Sequence, residues 1–76
     1  MKIKISNLPL WINETEVKRH FENFGEILSS LLIFDAKGRS TGIAEIIFTK
    51  ESSAVEALSM HGSAIHGSII KIEVCN

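Results

Sequence analysis

A short polar loop contains the residues of this sequence that are best suited to chemistry with a charged ligand. It runs Lys37-Gly38-Arg39-Ser40-Thr41 and supplies two cations, a pair of hydroxyls and a flexible glycine. Cationic and hydroxyl side chains can contact phosphate without reading a base sequence. The loop therefore predicts weak contact with a phosphate-bearing ligand, and the alternative is an ordinary solvated turn.

The histidines and the cysteine give little indication of catalysis. His20, His61, His66 and Cys75 lack the spacing of a metal site with a fourth ligand. No nucleophile is paired with a base, and no glycine-rich loop is suited to cradling phosphate. We therefore expect no enzymatic activity, no metal and no cofactor.

Composition predicts one small folded domain covering residues 1–76. A hydrophobic content of 45% is enough for a core, and the formal net charge of −1 predicts weak affinity for phosphate. The single cysteine cannot form an internal disulfide, which favours a reducing compartment. The sequence enters a strand pattern at once and has no apolar run near the ~20 residues of a membrane span, so we expect neither a signal peptide nor a transmembrane helix.

The hydrophobic pattern predicts the order βαββαβ. We place strands at residues 3–6, 27–34, 41–48 and 69–74, one helix at 14–23 and a second from Ser52 or Ser53 to Gly62. Asn13 is the expected N-cap of the first helix, with Glu16 three residues on as in a capping box. This order predicts an α+β, ferredoxin-like sandwich, in which a four-stranded antiparallel sheet carries two helices on one face.

The other face of that sheet is predicted to be open. Strand 41–48 directs Ala44, Ile46 and Phe48 to the core and Ile43, Glu45 and Ile47 to the open face. Alternation on the other strands adds Lys4, Ser6, Ser29, Leu31, Ile33, Lys71 and Glu73. We define the open-sheet patch as Leu31, Ile33, Ile43, Glu45 and Ile47. Apolar patches often mark partner surfaces, and the alternatives are cover by another part of the chain or no role.

Trp11 and an acidic helix surface are the other candidates for partner contact. Buried, Trp11 would anchor a loop; exposed, it would be a stacking platform or a partner hot spot. Glu14, Glu16 and Glu22 make the first helix mildly acidic and able to attract a basic peptide. The alternative is an ordinary solvated helix face.

Two segments resemble the signature strands of the RNA recognition motif. Residues 3–8 are similar to the shorter signature and residues 41–48 to the longer one, with Gly42, Ala44 and Phe48 matching. In that family, bases stack on aromatic side chains at three open-face positions, which here are Lys4, Ile43 and Glu45. Each missing stack is worth about 1–3 kcal/mol. The resemblance therefore implies the fold and RNA binding, with weaker RNA contact at the sheet than is usual in the family.

A narrower set of motifs resembles the Aly/REF mRNA export adaptors. It comprises Ser6-Asn7-Leu8, Phe24-Gly25, Asp35-x-x-Gly38-Arg39-Ser40-x-Gly42-x-Ala44 and Phe48. The resemblance implies a nuclear RNA-binding adaptor whose partners include a DEAD-box helicase and an export receptor. The candidate RNA contacts are then Lys4, Asn7, Lys37, Arg39, Ser40 and Lys71. Arg/Gly-rich arms carry much of that family's RNA affinity and do not occur in these residues, so the chain is either an excised domain or a reduced relative.

Two other functions remain open from the sequence. One is a protein-interaction module of the same fold without an RNA role. The splicing-factor variety of such modules carries Arg-x-Phe before the last strand, where this chain has Gly62-Ser63-Ala64-Ile65-His66-Gly67. The other is a sequence-specific RNA-binding domain with unusual contacts, which the missing aromatics and the net charge disfavour.

Overall fold

A computed structural model describes residues 1–75 of the chain. Its helices and strands are β1 (Lys2–Ser6), α1 (Glu14–Phe21), β2 (Ile27–Phe34), β3 (Ser40–Phe48), α2 (Glu51–Ala57), β4 (Ala64–Ile65), β5 (Ser68–Ile69) and β6 (Lys71–Cys75). Short 3₁₀ turns follow the helices at Glu22–Phe24 and Leu58–Met60. Within residues 1–75 no helix has the length and apolar character needed to cross a membrane.

The main sheet has the strand order β2-β3-β1-β6, and every neighbouring pair is antiparallel. This confirms the ferredoxin-like βαββαβ fold, with β1 and β3 in the centre. One face is the core, formed from buried side chains of β1, β3, α1 and α2: Ile3, Ile5, Ala44, Ile46, Phe48, Val17, Phe21, Ala54 and Ala57. Burial of each large apolar side chain contributes about 1.5–3 kcal/mol, so this face holds the sheet in register.

Helix α1 begins as predicted and ends earlier. Asn13 Oδ1 accepts a hydrogen bond from the Glu16 amide at 2.8 Å, which confirms the N-cap. The helix was expected to reach residue 23, but regular α geometry stops at Phe21 and a 3₁₀ turn leads into Gly25. The Gly25 amide donates to the Glu22 carbonyl, an i to i+3 bond that tightens the last turn.

Helix α2 begins at Glu51, so the prediction of Ser52 or Ser53 as its start is wrong. Lys50 is the N-cap and has no side-chain cap hydrogen bond. Ser53 is only 5% exposed and packs against Gly25, where an added Cβ would lie 2.0 Å from the Ser53 Oγ. The serine is therefore a small packing residue at a close contact between the two helical regions.

The last predicted strand, 69–74, is interrupted. Residues Ala64–Ile65 and Ser68–Ile69 form a separate two-stranded hairpin, and β6 begins only at Lys71. His66 and Gly67 connect the hairpin with φ values of 50° and 83°, as a tight two-residue turn requires. Ile70 leaves the ladder because its amide donates to the Ser63 carbonyl and its carbonyl accepts from the Gly62 amide.

Candidate nucleic-acid interface

The open face of the sheet is organised around one cross-strand row of four residues. Leu31 lies opposite Glu45, Glu45 opposite Lys4, and Lys4 opposite Glu73. Directly opposed residues have their Cβ atoms about 4.5–5.5 Å apart. Lys4 and Glu45 are therefore immediate neighbours, and Ile43 follows two residues along β3 on the same face.

Ion pairs neutralise Lys2 and Lys4 on this face. Lys2 Nζ lies 3.5 Å from Glu45 Oε2, and Lys4 Nζ lies 3.8 Å from Glu73 Oε1. Such exposed pairs add about 0–1 kcal/mol to stability, but each carboxylate cancels the field of its lysine towards an approaching phosphate. Lys71, opposite Ser6, belongs to neither pair and remains available to an anion.

The open-sheet patch is less continuous than the sequence suggests. Ile33 lies opposite Ile43 and beside Leu31, which is 43% exposed, so these three side chains share one region of the sheet. Ile47 lies opposite Ser29, and Glu45 separates it from Ile43 along β3. A role for the patch in partner contact remains a prediction.

Two exposed apolar residues of β2 were not assigned to a surface from the sequence. Leu28 is 65% exposed and lies at a register shift between Ile27 and Ser29, where it has no partner in the ladder with β3. Phe34 is 55% exposed and pairs with Ser40 beyond a second register shift. Simple alternation cannot place residues at such irregularities, because each one resets the period of two.

The polar loop between β2 and β3 is closed by Asp35. Asp35 Oδ1 accepts from the Lys37 amide at 2.8 Å and the Arg39 amide at 2.9 Å, and Oδ2 accepts from Arg39 Nε at 2.9 Å. The bond from the Arg39 backbone amide is the main reason that the pKa of Asp35 lies below its ordinary value. Arg39 is therefore engaged within the loop, which leaves Lys37 as the better placed of the two cations for phosphate.

The side-chain hydroxyls of this loop form hydrogen bonds with the backbone. Thr41 Oγ1 donates to the Ile33 carbonyl at 2.8 Å, and Ser40 Oγ accepts from the Gly42 amide at 3.2 Å. These bonds preorganise the loop. A phosphate contact by Ser40 remains a prediction and would have to use the proton of its hydroxyl.

Asn7 lies at the end of β1 in the left-handed conformation, with φ of 64°. Its Nδ2 donates to the Ile69 carbonyl at 2.8 Å, which ties the end of β1 to β5. The amide is therefore a structural tie, and its predicted RNA contact is untested.

Trp11 is 68% exposed, so the alternative in which it anchors a loop from within the core is wrong. Its ring packs against the imidazole of His66, with ring centroids 4.7 Å apart and planes inclined by 54°. Leu10 beside it is 65% exposed. No sequence pattern indicates the contact between Trp11 and His66, because the two residues are far apart in the chain.

Glu16 connects this ring pair to helix α1. Its Oε2 contacts His66 Nε2 and lies 3.9 Å from His20 Nε2. The carboxylate therefore faces two imidazoles, which is a different role from the reciprocal half of a capping box. Glu14 and Glu22 are exposed on the helical layer, and attraction of a basic peptide remains a prediction.

The histidines of the loop after α2 have separate partners. His61 Nδ1 accepts a hydrogen bond from the Ile72 amide at 2.9 Å, whereas His66 contacts Trp11 and Glu16. Among residues 1–75 no group of three histidine, cysteine or acidic side chains is arranged to hold a metal ion.

The fold and its open face define a βαββαβ domain with a four-stranded platform, and comparison with known proteins identifies the family. The model of the RNA recognition motif matches residues 3–71. The chain belongs to the RNA recognition motif family, which is RNA-binding.

The sequence relatives within this family include a polyadenylate-binding protein and two THO complex subunits. Polyadenylate-binding protein 7 of Arabidopsis thaliana is 30% identical over 95% of this chain and 12% of its own length. THO complex subunits 4B and 4A of the same plant are 30% and 31% identical over 96% of this chain and 25% and 30% of their own lengths. The chain thus spans less than a third of these relatives.

Solved structures confirm the fold. The RRM of Rna15 superimposes with a TM-score of 0.91 at 22% identity, covering 97% of this chain and 87% of that one. The same RRM with bound RNA (GU) gives 0.86 at 22% identity, covering 97% and 81%.

Proposed function

We propose that the chain is the RNA-binding domain of an adaptor in mRNA processing and export, with weak RNA contact through its loops. The observation that carries the proposal is the composition of the three base-stacking positions. Lys4 and Glu45 oppose each other there, each in an ion pair with a further residue, and Ile43 completes the set.

The energies of base stacking and of phosphate contact favour RNA binding by the loops over RNA binding by the sheet. A base stacked on an aromatic ring gains about 1–3 kcal/mol, and the open face offers no ring at any of the three positions. Glu45 adds a carboxylate to this face, and its charge repels phosphate. The remaining cations of the open face and its hairpin loop are Lys37 in the preorganised loop and Lys71 at the start of β6, and these can contact phosphate without reading sequence.

The proposal is tested by titrating isotope-labelled protein with short single-stranded RNAs and following backbone amide shifts. We expect the largest shifts in residues 36–41 and around Lys71. Saturable, micromolar shifts concentrated at Lys4, Ile43 and Glu45 would show that the sheet binds RNA and would contradict the proposal.

A matched pair of variants sharpens the test. Lys37→Gln should weaken RNA binding, whereas Lys50→Gln should not, because Lys50 follows the far end of β3 and lies away from the loop. Both substitutions remove one exposed positive charge. Equal losses in the two variants would indicate a general charge effect and no specific loop contact.

The export-adaptor part of the proposal is supported by the Aly/REF-like motifs and by the two THO complex subunits among the relatives. It assigns the protein to the nucleus, with a DEAD-box helicase and an export receptor as partners. Amide shifts on α1 or the open face upon addition of a purified DEAD-box helicase would support it. No shift at high helicase concentration would contradict that partnership.

A second candidate is a protein-interaction module without RNA binding. It is favoured by the apolar cluster of Leu31, which is exposed, with Ile33 and Ile43, which are half-buried; the cluster offers a partner surface beside neutralised lysines. An absence of RNA-induced shifts, together with shifts of this cluster on addition of the helicase, would select this candidate.

A further inference from the structure

Trp11 presents an aromatic ring on a surface outside the sheet. The ring is 68% exposed, in a chain whose three usual base-stacking positions hold no aromatic residue. Tryptophan is enriched at interfaces, where its ring supplies a large contact area. The exposed ring is therefore a candidate contact for a ligand.

The surroundings of Trp11 fix where the ring lies. The Ile12 amide donates to the Pro9 carbonyl at 3.2 Å, and both of these residues are buried. Trp11 thus occupies a tight turn whose two ends are anchored. His66, in the two-residue turn of the small hairpin, packs against the ring, and Glu16 holds the imidazole from α1.

The hairpin that carries His66 lies next to the end of the open sheet at which Lys71 lies. Asn7 is hydrogen-bonded to Ile69, and Ser6 pairs with Lys71 in the adjacent register position. The hairpin that carries His66 is therefore tied to the strand end that carries Lys71. Lys71 and the residues that border the Trp11 ring are thus linked through Ser6, Asn7 and the β4–β5 hairpin.

We propose that Trp11, bordered by His66, is a stacking site for an unpaired base of single-stranded RNA. This inference rests on the proposed RNA binding and names the place where a base is held. RNA is favoured over a protein because the ring is exposed beside an imidazole, whereas protein hot spots are enclosed in well-packed desolvated pockets. A stacked base needs only a free ring face, and every base has one.

The test uses Trp11 itself, because it is the only tryptophan in the chain. Short uridine and adenosine oligonucleotides are titrated into the protein while tryptophan emission is recorded, and the anisotropy of the same oligonucleotides, dye-labelled, gives the affinity. We expect saturable quenching whose midpoint agrees with the anisotropy curve, and a weakening of about 5- to 150-fold in Trp11→Ala.

Two further variants distinguish base stacking on the ring at position 11 from other contacts between this turn and RNA. Trp11→Phe should retain most of the affinity, because a ring remains. Leu10→Ala, at the neighbouring residue that is 65% exposed, should bind as the unchanged protein does. Amide spectra of Trp11→Ala should match those of the unchanged protein outside the turn and the hairpin around His66, because the lost side chain is exposed and contacts only that imidazole ring among the aromatic groups.

The outcomes distinguish this inference from the proposed function. If RNA binds by anisotropy while tryptophan emission stays constant and Trp11→Ala binds equally well, the stacking site is refuted and RNA binding stands. If no oligonucleotide binds at all, the proposed function and the stacking site both fail.

Discussion

Gly42 has a local geometry that only glycine satisfies. Its φ is 74°, and a Cβ built there would lie 2.8 Å from the Leu8 carbonyl oxygen. The same region contains the hydrogen bond from the Leu8 amide to the Gly42 carbonyl at 2.9 Å. The family glycine at this position therefore lets the end of β1 approach the start of β3.

Substitution of Gly42 by alanine should destabilise the domain more than the same change at Gly38. Gly38 has a similar φ of 78° and nothing within 4 Å of an added Cβ, so Gly38→Ala should cost only the left-handed strain of about 1–2 kcal/mol. Gly42→Ala should cost about 0.5–1.5 kcal/mol more, because the bond from Leu8 is displaced. Urea unfolding measures both, and equal losses would show that the close approach is unimportant.

The Asp35 carboxyl should titrate below its ordinary pKa of 3.8. The Arg39 amide is the main cause of the lowered pKa, and the charged form of Asp35 is the form that closes the loop. The contribution of this carboxylate is therefore fully present above pH 3.8 and is lost as the pH falls through the lower, folded value. Carboxyl carbon shifts followed by NMR give the midpoint. A midpoint at or above 3.8 would contradict the hydrogen bonding.

At this scale, the sequence predicted contacts that are local in the chain. The cap of Asn13 on Glu16 spans three residues and was predicted correctly. The partner of the Glu16 carboxylate, His66, lies 50 residues away, and no local pattern specifies it. Exposure of Trp11 could not be predicted either, because a tryptophan in a turn is compatible with burial or exposure.

Among the elements, strands β1, β2 and β3 were predicted best, each to within one residue at either end. The bounds of β2 were predicted without error, and the inner face of β3 is buried as expected. The hairpin of β4 and β5 was missed because each of its strands has two residues, too few for a period to show. The turn signal was present in His66-Gly67, where both residues have positive φ.

The open face of β3 should accept a restored stacking ring. Ile43→Phe places an aromatic side chain at one of the family stacking positions and should tighten RNA binding by about 1–3 kcal/mol. Ile47→Phe adds the same ring two positions beyond Glu45, opposite Ser29, and should change affinity little. Fluorescence anisotropy with single-stranded RNA measures both variants. A gain of equal size in both would show that any added ring suffices.

Across the whole molecule, the charges are arranged so that few cations can reach RNA. The net charge is −1, and two sheet lysines are ion-paired with Glu45 and Glu73. Arg39 is engaged with Asp35 in the loop. On the open face and in the β2–β3 loop, phosphate attraction thus rests on Lys37 and Lys71, because the other cations outside these pairs, Lys18, Arg19 and Lys50, lie on α1 or just before α2.

This arrangement predicts a weak dependence of RNA affinity on salt, which the sheet carboxylates should control. Two phosphate contacts give a slope of about −1.4 in log affinity against log salt for single strands. Replacing Glu45 and Glu73 by glutamine should free Lys2 and Lys4, and the slope should approach about −2.8.

The matched control for this variant replaces Glu22 and Glu56, which are exposed in the helical layer, by glutamine. It changes the net charge by the same amount and should leave the slope near that of the unchanged protein, because no further lysine reaches a phosphate. A steeper slope in the Glu45 and Glu73 variant alone would show that the two ion pairs limit the number of phosphate contacts. Identical slopes in all three proteins would show that those pairs do not withhold Lys2 and Lys4 from RNA.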